Sequence, residues 1–320
     1  MNAPFRRRSL ARIAYPDWAD PTKSFEVDFV NDRAHRGGIV VPITAIASCV
    51  RASSGKAFDG AAWTDIAANL LRYRKGGGLY VEPARTNHIR NADIAGVDAS
   101  NKPTNWTFNV SGGGSITYAP PSSENGIRYS EFRYQHPGGT NVGLTVDIVV
   151  GVACAISQTW THSAYVSMPA QKTGFSSANI GGRAGGGAQT EFPSSAGFNP
   201  DSGLSTLRAH TFTLQQNSTG LNSRVGFNVA NGTPIDIVAR IGFPMLSMEP
   251  APASFVATPI GSAATRAADQ VALTLPSGAH DLTFTFDDAS TQTVQNVSGS
   301  YAIPTNLNRA VIAKLSGVRR

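Results

Sequence analysis

The chain has 320 residues and a formal charge of +6, with 15% charged residues, 32 glycines and 19 prolines. That length allows two domains, or one large β domain with extensions. The low charge excludes a solvated disordered chain, and the Gly/Pro punctuation favours short strands over long helices.

The charge is unevenly placed. Residues 1–90 hold 14 Lys/Arg and 8 Asp/Glu, while the two signs balance in the rest of the chain. The excess begins with Arg6, Arg7, Arg8 and Arg12. Such an arm can bind nucleic acid, anionic glycan or an acidic protein surface, or be an interface or solvated tail; contact with particle partners is the expectation here, and nucleic acid is not expected. Cys49 and Cys154 have no metal or redox spacing, so no disulfide scaffold is expected, and Cys154 reads as a small buried hydrophobe. No apolar run approaches the roughly 20 residues that span a bilayer. No apolar stretch of signal-peptide type follows the N-terminal arginines, which predicts cytoplasmic synthesis without membrane insertion.

Taken in order, Ser24–Val30 alternates, with Phe25, Val27 and Phe29 on one face, and predicts a strand. A second short strand is expected at Ile39–Ile43. Ile66, Leu70 and Tyr73 stand at spacings of four and three, which makes 65–73 the best helical candidate; an extended segment is the alternative. Gly76-Gly77-Gly78 reads as a flexible entry to Leu79–Glu82, where Pro83 ends regular pairing.

From about residue 91 the period is two. Trp106/Phe108/Val110, Tyr129–Tyr134, Val142 through Val150, Ala164/Val166/Met168, His210/Phe212/Leu214, Val225/Phe227/Val229 and Ile235 through Phe243 each predict a strand. Residues 172–205 read as short strands and long loops, with Gly181–Gly187 as a mobile loop. Seven to nine strands with no helical crossover between them predict an all-β, antiparallel sandwich. Residues 250–268 read as a Pro-rich linker. Residues 269–320 read as a small β module, with Asp287-Asp288 opening a hairpin turn; about 50 residues are marginal for independent stability. The expected division is 1–77, a basic attachment region; 78–268, the sandwich; and 269–320, the C-terminal module.

No catalytic motif emerges. His35, His88, His136, His162, His210 and His280 have no metal-ligand spacing and read as surface or pleat residues. The glycine-rich stretch lacks the Lys-Ser/Thr of a phosphate loop, no Gly-x-Ser-x-Gly occurs, and no calcium-loop spacing is present. No metal or cofactor is expected. A carboxylate pair for glycoside cleavage need only meet in space, so cleavage stays open as an alternative. Sugar binding asks for an aromatic platform with a few polar groups. Trp106, Trp160, Tyr129 and Tyr134, with Arg133, are the candidates for it; core packing is the alternative reading.

Three stretches resemble virion proteins of phages, of the tail-fibre, head-fibre and spike type. Arg51-Ala52-Ser53-Ser54, Phe58-Asp59-Gly60 and Gly78-Leu79-Tyr80-Val81-Glu82-Pro83-Ala84-Arg85-Thr86-Asn87 resemble their Arg-Ala-Ser and Gly-Leu-Leu-Val-Glu-x-Ala-Arg-Thr-Asn lead-in. Ile241–Glu249, Ala253–Pro259 and Thr265-Arg266-Ala267-Ala268-Asp269 resemble their closing strand and exit. Thr283–Asp288 and Ile303–Arg309 resemble small C-terminal modules of phage and gene-transfer-agent particles. The stretches bracket residues 51–320. Pro83 and His88 depart from the pattern. The resemblance implies a jelly-roll sandwich like those of carbohydrate-binding modules, virion location, other virion proteins as partners, and homo-oligomeric, often trimeric, assembly. The function expected is a non-enzymatic structural protein that binds host-surface polysaccharide. The alternatives are a purely structural connector or decoration protein and a capsule depolymerase.

Overall fold

A computed structural model describes residues 15–139, 142–170, 172–185 and 193–320. Arg6, Arg7, Arg8 and Arg12 lie outside the described residues, as do Gly186 and Gly187.

The chain opens with β1 (Phe25–Asp28), β2 (Arg33–Arg36), β3 (Ile39–Val41), a 3-10 turn (Ile43–Ala45) and β4 (Ala47–Val50). The hairpin β5 (Gly55–Phe58) and β6 (Trp63–Ile66) follows, then β7 (Tyr73–Arg74), β8 (Gly78–Tyr80) and β9 (Arg85–Asn87). Next come β10 (Trp106–Ser111), β11 (Ser115–Tyr118), β12 (Ser122–Glu124), β13 (Ile127–His136), β14 (Gly143–Cys154), β15 (Thr159–Ser167) and β16 (Lys172–Thr173). The series continues with β17 (Phe175–Gly185), β18 (Ala196–Phe198), β19 (Leu207–Thr213), β20 (Ser218–Val229), β21 (Ile235–Ser247) and β22 (Ala264–Arg266). It ends with β23 (Gln270–Phe286), β24 (Thr291–Ala302) and β25 (Val311–Arg319).

The period-two stretches build an antiparallel jelly-roll sandwich. One sheet runs β10-β14-β20-β17-β18 and the other β11-β13-β21-β15-β19, and the chain crosses repeatedly between them. Their inner faces share one apolar core. Phe108 meets Phe132, and Phe132 meets Phe227, edge to face at 5.0 and 5.7 Å, which stitches the two sheets together.

The flanks do not form two separate units. β1, β2, β3, β4, β7 and β8 join β23, β24 and β25 in a nine-stranded sheet, the base, with its own apolar core. β1 pairs with β25 from Phe25↔Gly317 to Asp28↔Lys314. The reason is area: three C-terminal strands bury too little apolar surface alone, and the N-terminal strands supply the missing half. Phe25 lies so close over Gly317 that a Cβ there would sit 2.1 Å from its ring. The base thus joins what the three-part division separated: the strands of residues 25–50, 73–80 and 270–319 are one sheet, while the β5–β6 hairpin forms its own.

Four local expectations are also corrected. Residues 65–73 are not helical; Ile66 ends β6, Leu70 is 56% exposed and Tyr73 begins β7. The triple glycine is packed, because a Cβ on Gly77 would meet the Phe58 carbonyl oxygen at 1.5 Å. Gly181–Gly185 lies in β17, where the Phe212 ring covers Gly182. Residues 250–268 are no free linker: Ser254, Phe255, Val256 and Thr258 are buried, and β22 pairs with β9. Both cysteines are buried and unbridged. His35, His162 and His280 are fully buried pleat residues of β2, β15 and β23.

Candidate functional site

Sandwich and base meet at a joint made by the stretches that carry the resemblance. Arg51 follows β4, Arg72 precedes β7, Glu82 follows β8, Arg266 ends β22 and Asp269 precedes β23. All five side chains are buried. Arg51 Nη1 donates to Asp269 Oδ1 at 2.9 Å, and Arg72 Nη2 donates to Asp269 Oδ2 at 2.6 Å and to Glu82 Oε2 at 2.5 Å. Arg266 donates to Asp269 Oδ2 and Glu82 Oε2 at 3.1 and 3.2 Å. The Ser254 hydroxyl and backbone N–H both donate to Glu82.

Burial alone would raise the Glu82 pKa, but the guanidiniums of Arg72 and Arg266 and the Ser254 hydroxyl outweigh it and hold the carboxyl at about 2. For Arg72 burial is likewise overcome, by Glu82 and Asp269, and the guanidinium is held more firmly charged. For Arg266 burial and the neighbouring Arg72 prevail and lower its pKa. Asn87 closes the joint on the sandwich side. Its amide donates to the Pro244 and Val256 carbonyls, and its oxygen accepts from the Ile89 and Leu246 N–H groups.

Beside this network, between the two bodies, is a cleft of about 320 Å³. Trp63 of the β5–β6 hairpin and Tyr80 of the base line it, with Ser163, Tyr165, Phe243 and Met245 from the sandwich. Three local features place these groups. Asn125-Gly126 between β12 and β13 has φ of 51° and 72°, the left-handed pair of a tight hairpin, and the Asn125 carbonyl accepts from Trp63 N–H at 2.9 Å. The β15–β21 pairing slips between Ser163 and Tyr165, opposite Phe243. Phe243 itself has φ of 45°, a strained value for a bulky residue, and its ring stacks on Phe255 at 3.9 Å.

Trp63 Nε1 donates to Tyr165 Oη at 3.1 Å, and the Trp63 and Tyr80 rings lie 6.0 Å apart. Arg309, held in a two-point pair with Asp287 at 2.5 and 2.9 Å, adds a polar rim. Tyr165 and Phe243 are 9% and 2% exposed and belong to the sandwich core, and the Phe243 ring is covered by Phe255 and has Lys56 Nζ 5.3 Å from its centroid. The half-buried Trp63 and Tyr80 are the rings that can stack on an apolar ring face, with a hydroxyl, a guanidinium and a carboxylate beside them to hydrogen-bond its substituents. A larger hollow of about 690 Å³ lies on the base, but Ala47, Ala67, Leu70 and Leu71 line it with Tyr73 as its one ring. The joint cleft is therefore the stronger candidate.

The residues expected to bind ligand are placed elsewhere. Trp106 and Trp160 are each 2% exposed and belong to the sandwich core. Tyr134 is buried in the same core, and Tyr129 lies under the Arg240 guanidinium at 4.8 Å. Arg133 is exposed and paired with Asp236 at 2.6 and 2.7 Å. These five do not converge: the two-residue period sends Tyr134 inward with Trp106 and Trp160, while Tyr129 and Arg133 stand four residues apart on the other face of β13. Sequence reasoning missed Trp63, Tyr165 and Phe243. One signal was available for Tyr80, which alternates with the core residues Leu79 and Val81 and so faces away from the base core. Among the described residues no three His, Cys, Asp or Glu side chains converge as metal ligands do.

No protein-family profile and no curated protein matches the chain. Among solved structures, a family 4 carbohydrate-binding module aligns at 14% identity over 50% of this chain and 99% of that one, with a TM-score of 0.35. The enzymatically active domain of tailspike protein 4 of bacteriophage CBA120 aligns at 12% identity over 51% of this chain and 21% of that one, at 0.34. A xylan-binding domain of Paenibacillus barcinonensis Xyn10C aligns at 12% over 53% and 99%, at 0.33. The antiparallel β-sandwich is thus seen in sheet order and core packing, and these alignments say nothing of ligand or assembly.

Proposed function

We propose that the protein is a structural component of a phage or phage-like particle that holds host cell-surface polysaccharide in the joint cleft without cleaving it. It is made in the bacterial cytoplasm and works on the virion, alongside other virion proteins and copies of itself. The observation that carries the reading is the cleft that the half-buried Trp63 and Tyr80 line with the core residues Tyr165 and Phe243, set beside a charge network to which the resembling stretches give Arg51, Glu82, Arg266 and Asp269. A sugar stacks its C–H face on such rings and hydrogen-bonds to the polar rim.

Binding without cleavage is supported by the carboxylates there. A glycosidase acid needs a raised pKa, and Glu82 is held at about 2. Asp287 is clamped by Arg309. A connector role has one observation in its favour: edge strand β3 exposes Ile39 and Val40 at 60% and 64%.

Binding of purified protein to a panel of host capsule and lipopolysaccharide glycans tests the proposal, together with adsorption of particles lacking the protein. The reading expects retention on at least one host glycan and impaired adsorption. No retention on any, with normal adsorption, leaves the connector role in its place.

A further inference from the structure

A second pocket, of about 210 Å³, shares Phe255 with the cleft. Ser53, Ser54, Lys56, Asp65, Thr265 and Arg266 are its polar lining. Four observations single it out. The buried joint brings three guanidiniums, of Arg51, Arg72 and Arg266, onto two carboxylates, of Glu82 and Asp269, so one positive charge goes unanswered there. Arg266 is the member that lines the pocket, is 2% exposed, and has an Nε–H with no hydrogen-bond partner. Lys56, 13% exposed, adds an ammonium paired at 2.8 Å with Asp65, whose side chain is 80% exposed at the same pocket, so an entering anion can exchange for that solvated carboxylate. Ser53 Oγ already accepts from Ala267 N–H at 2.9 Å, which leaves its own proton to donate.

We propose that this pocket binds a small oxyanion, a carboxylate or phosphoryl group, which supplies the missing counter-charge beside Arg266 and accepts from Lys56 and the serine hydroxyls. An anion relieves the crowding of like charges that, with burial, lowers the Arg266 pKa. Cation and hydroxyl donors around one pocket form charge-assisted bonds with planar or tetrahedral oxyanions alike. The pocket adjoins the aromatic cleft, sharing Phe255 with it, and the proposal stands whether or not the cleft takes a sugar.

Thermal unfolding of the full chain tests this in sodium phosphate, sodium glucuronate and sodium chloride at matched ionic strength. Arg266 variants disturb the joint itself, so the comparison uses Lys56→Met and Ser54→Ala. The expected result is a rise in Tm with phosphate or glucuronate that saturates with concentration in the wild type and is lost in Lys56→Met and reduced in Ser54→Ala. Saturation by phosphate alone identifies a phosphoryl ligand, and by glucuronate alone an acidic sugar. Oxyanions excluded from protein surfaces also raise Tm, but without saturation and equally in all three proteins. That equal, unsaturating response, or no response, overturns the proposal.

Discussion

Arg72 and Asp269 lie 197 positions apart and share three hydrogen bonds, of 2.6, 3.0 and 3.2 Å, with both side chains buried. Arg72 sits in the N-terminal half of the base and Asp269 at the exit from the sandwich, so this pair ties the path into the sandwich to the path out. Asp269→Ala leaves three buried guanidiniums with one carboxylate. The expected loss is about 3–5 kcal/mol, because an unpaired buried charge loses its partner without regaining water. Urea unfolding measures it; a loss within the range of surface substitutions, about 0.5 kcal/mol, is the contrary result.

Acid weakens the protein in two windows. Burial pushes His162 down to about 4 from an ordinary 6.5. Between those values the unfolded chain binds a proton that the folded one refuses, so stability falls as pH falls from about 6.5 to about 4. Glu82, ordinarily 4.5 and held at about 2, contributes stability that is full above 4.5 and is lost as pH falls towards 2. Urea midpoints taken from about pH 7 to about pH 3 trace both. His162→Gln flattens the upper window and leaves the lower. An unchanged upper slope in that variant rules out His162 as its source.

The tryptophans separate core from cleft. Trp106→Ala is expected to lose about 3–5 kcal/mol, as other large core truncations do. Trp63, half-buried at the joint, is expected to lose about 1–2 kcal/mol on truncation, with its tertiary structure kept. Chemical denaturation of the two variants side by side reads the difference, and equal losses contradict this placement.

Removing residues 1–77 takes β1–β4 and β7 from the base, together with the β5–β6 hairpin, and opens the base's apolar core. The fragment 78–320 is expected to aggregate or to show a base sensitive to protease, while the sandwich strands stay protected. Gel filtration and limited proteolysis with mass spectrometry give the readout. A monomeric fragment protected throughout shows instead that the C-terminal strands fold alone.

The sandwich was legible because its strands bury one face each. Val146 and Ile148 of β14, and Ile237 and Ile241 of β21, sit in the core on the period the sequence displays. The base was not legible, because the pairing of Phe25 with Gly317 depends on area shared between chain ends and no local pattern records it. At 65–73 a strand end, a turn and a two-residue strand reproduced helical spacing by chance. Glu82, Arg266 and Asp269 stood inside the resembling stretches, and the structure shows them as partners in one network. Trp63, Tyr165 and Phe243 converge only through a hairpin contact and a bulge, so their meeting has no signature in the sequence around each.

The central claim is that the aromatic cleft at the joint is where the protein holds sugar. Isothermal titration of wild type and Trp63→Ala with oligosaccharides from a retained host glycan tests it most directly. The account predicts saturable binding by the wild type and its loss in Trp63→Ala at unchanged fold. Equal affinity in the two proteins would place the sugar elsewhere and contradict the claim.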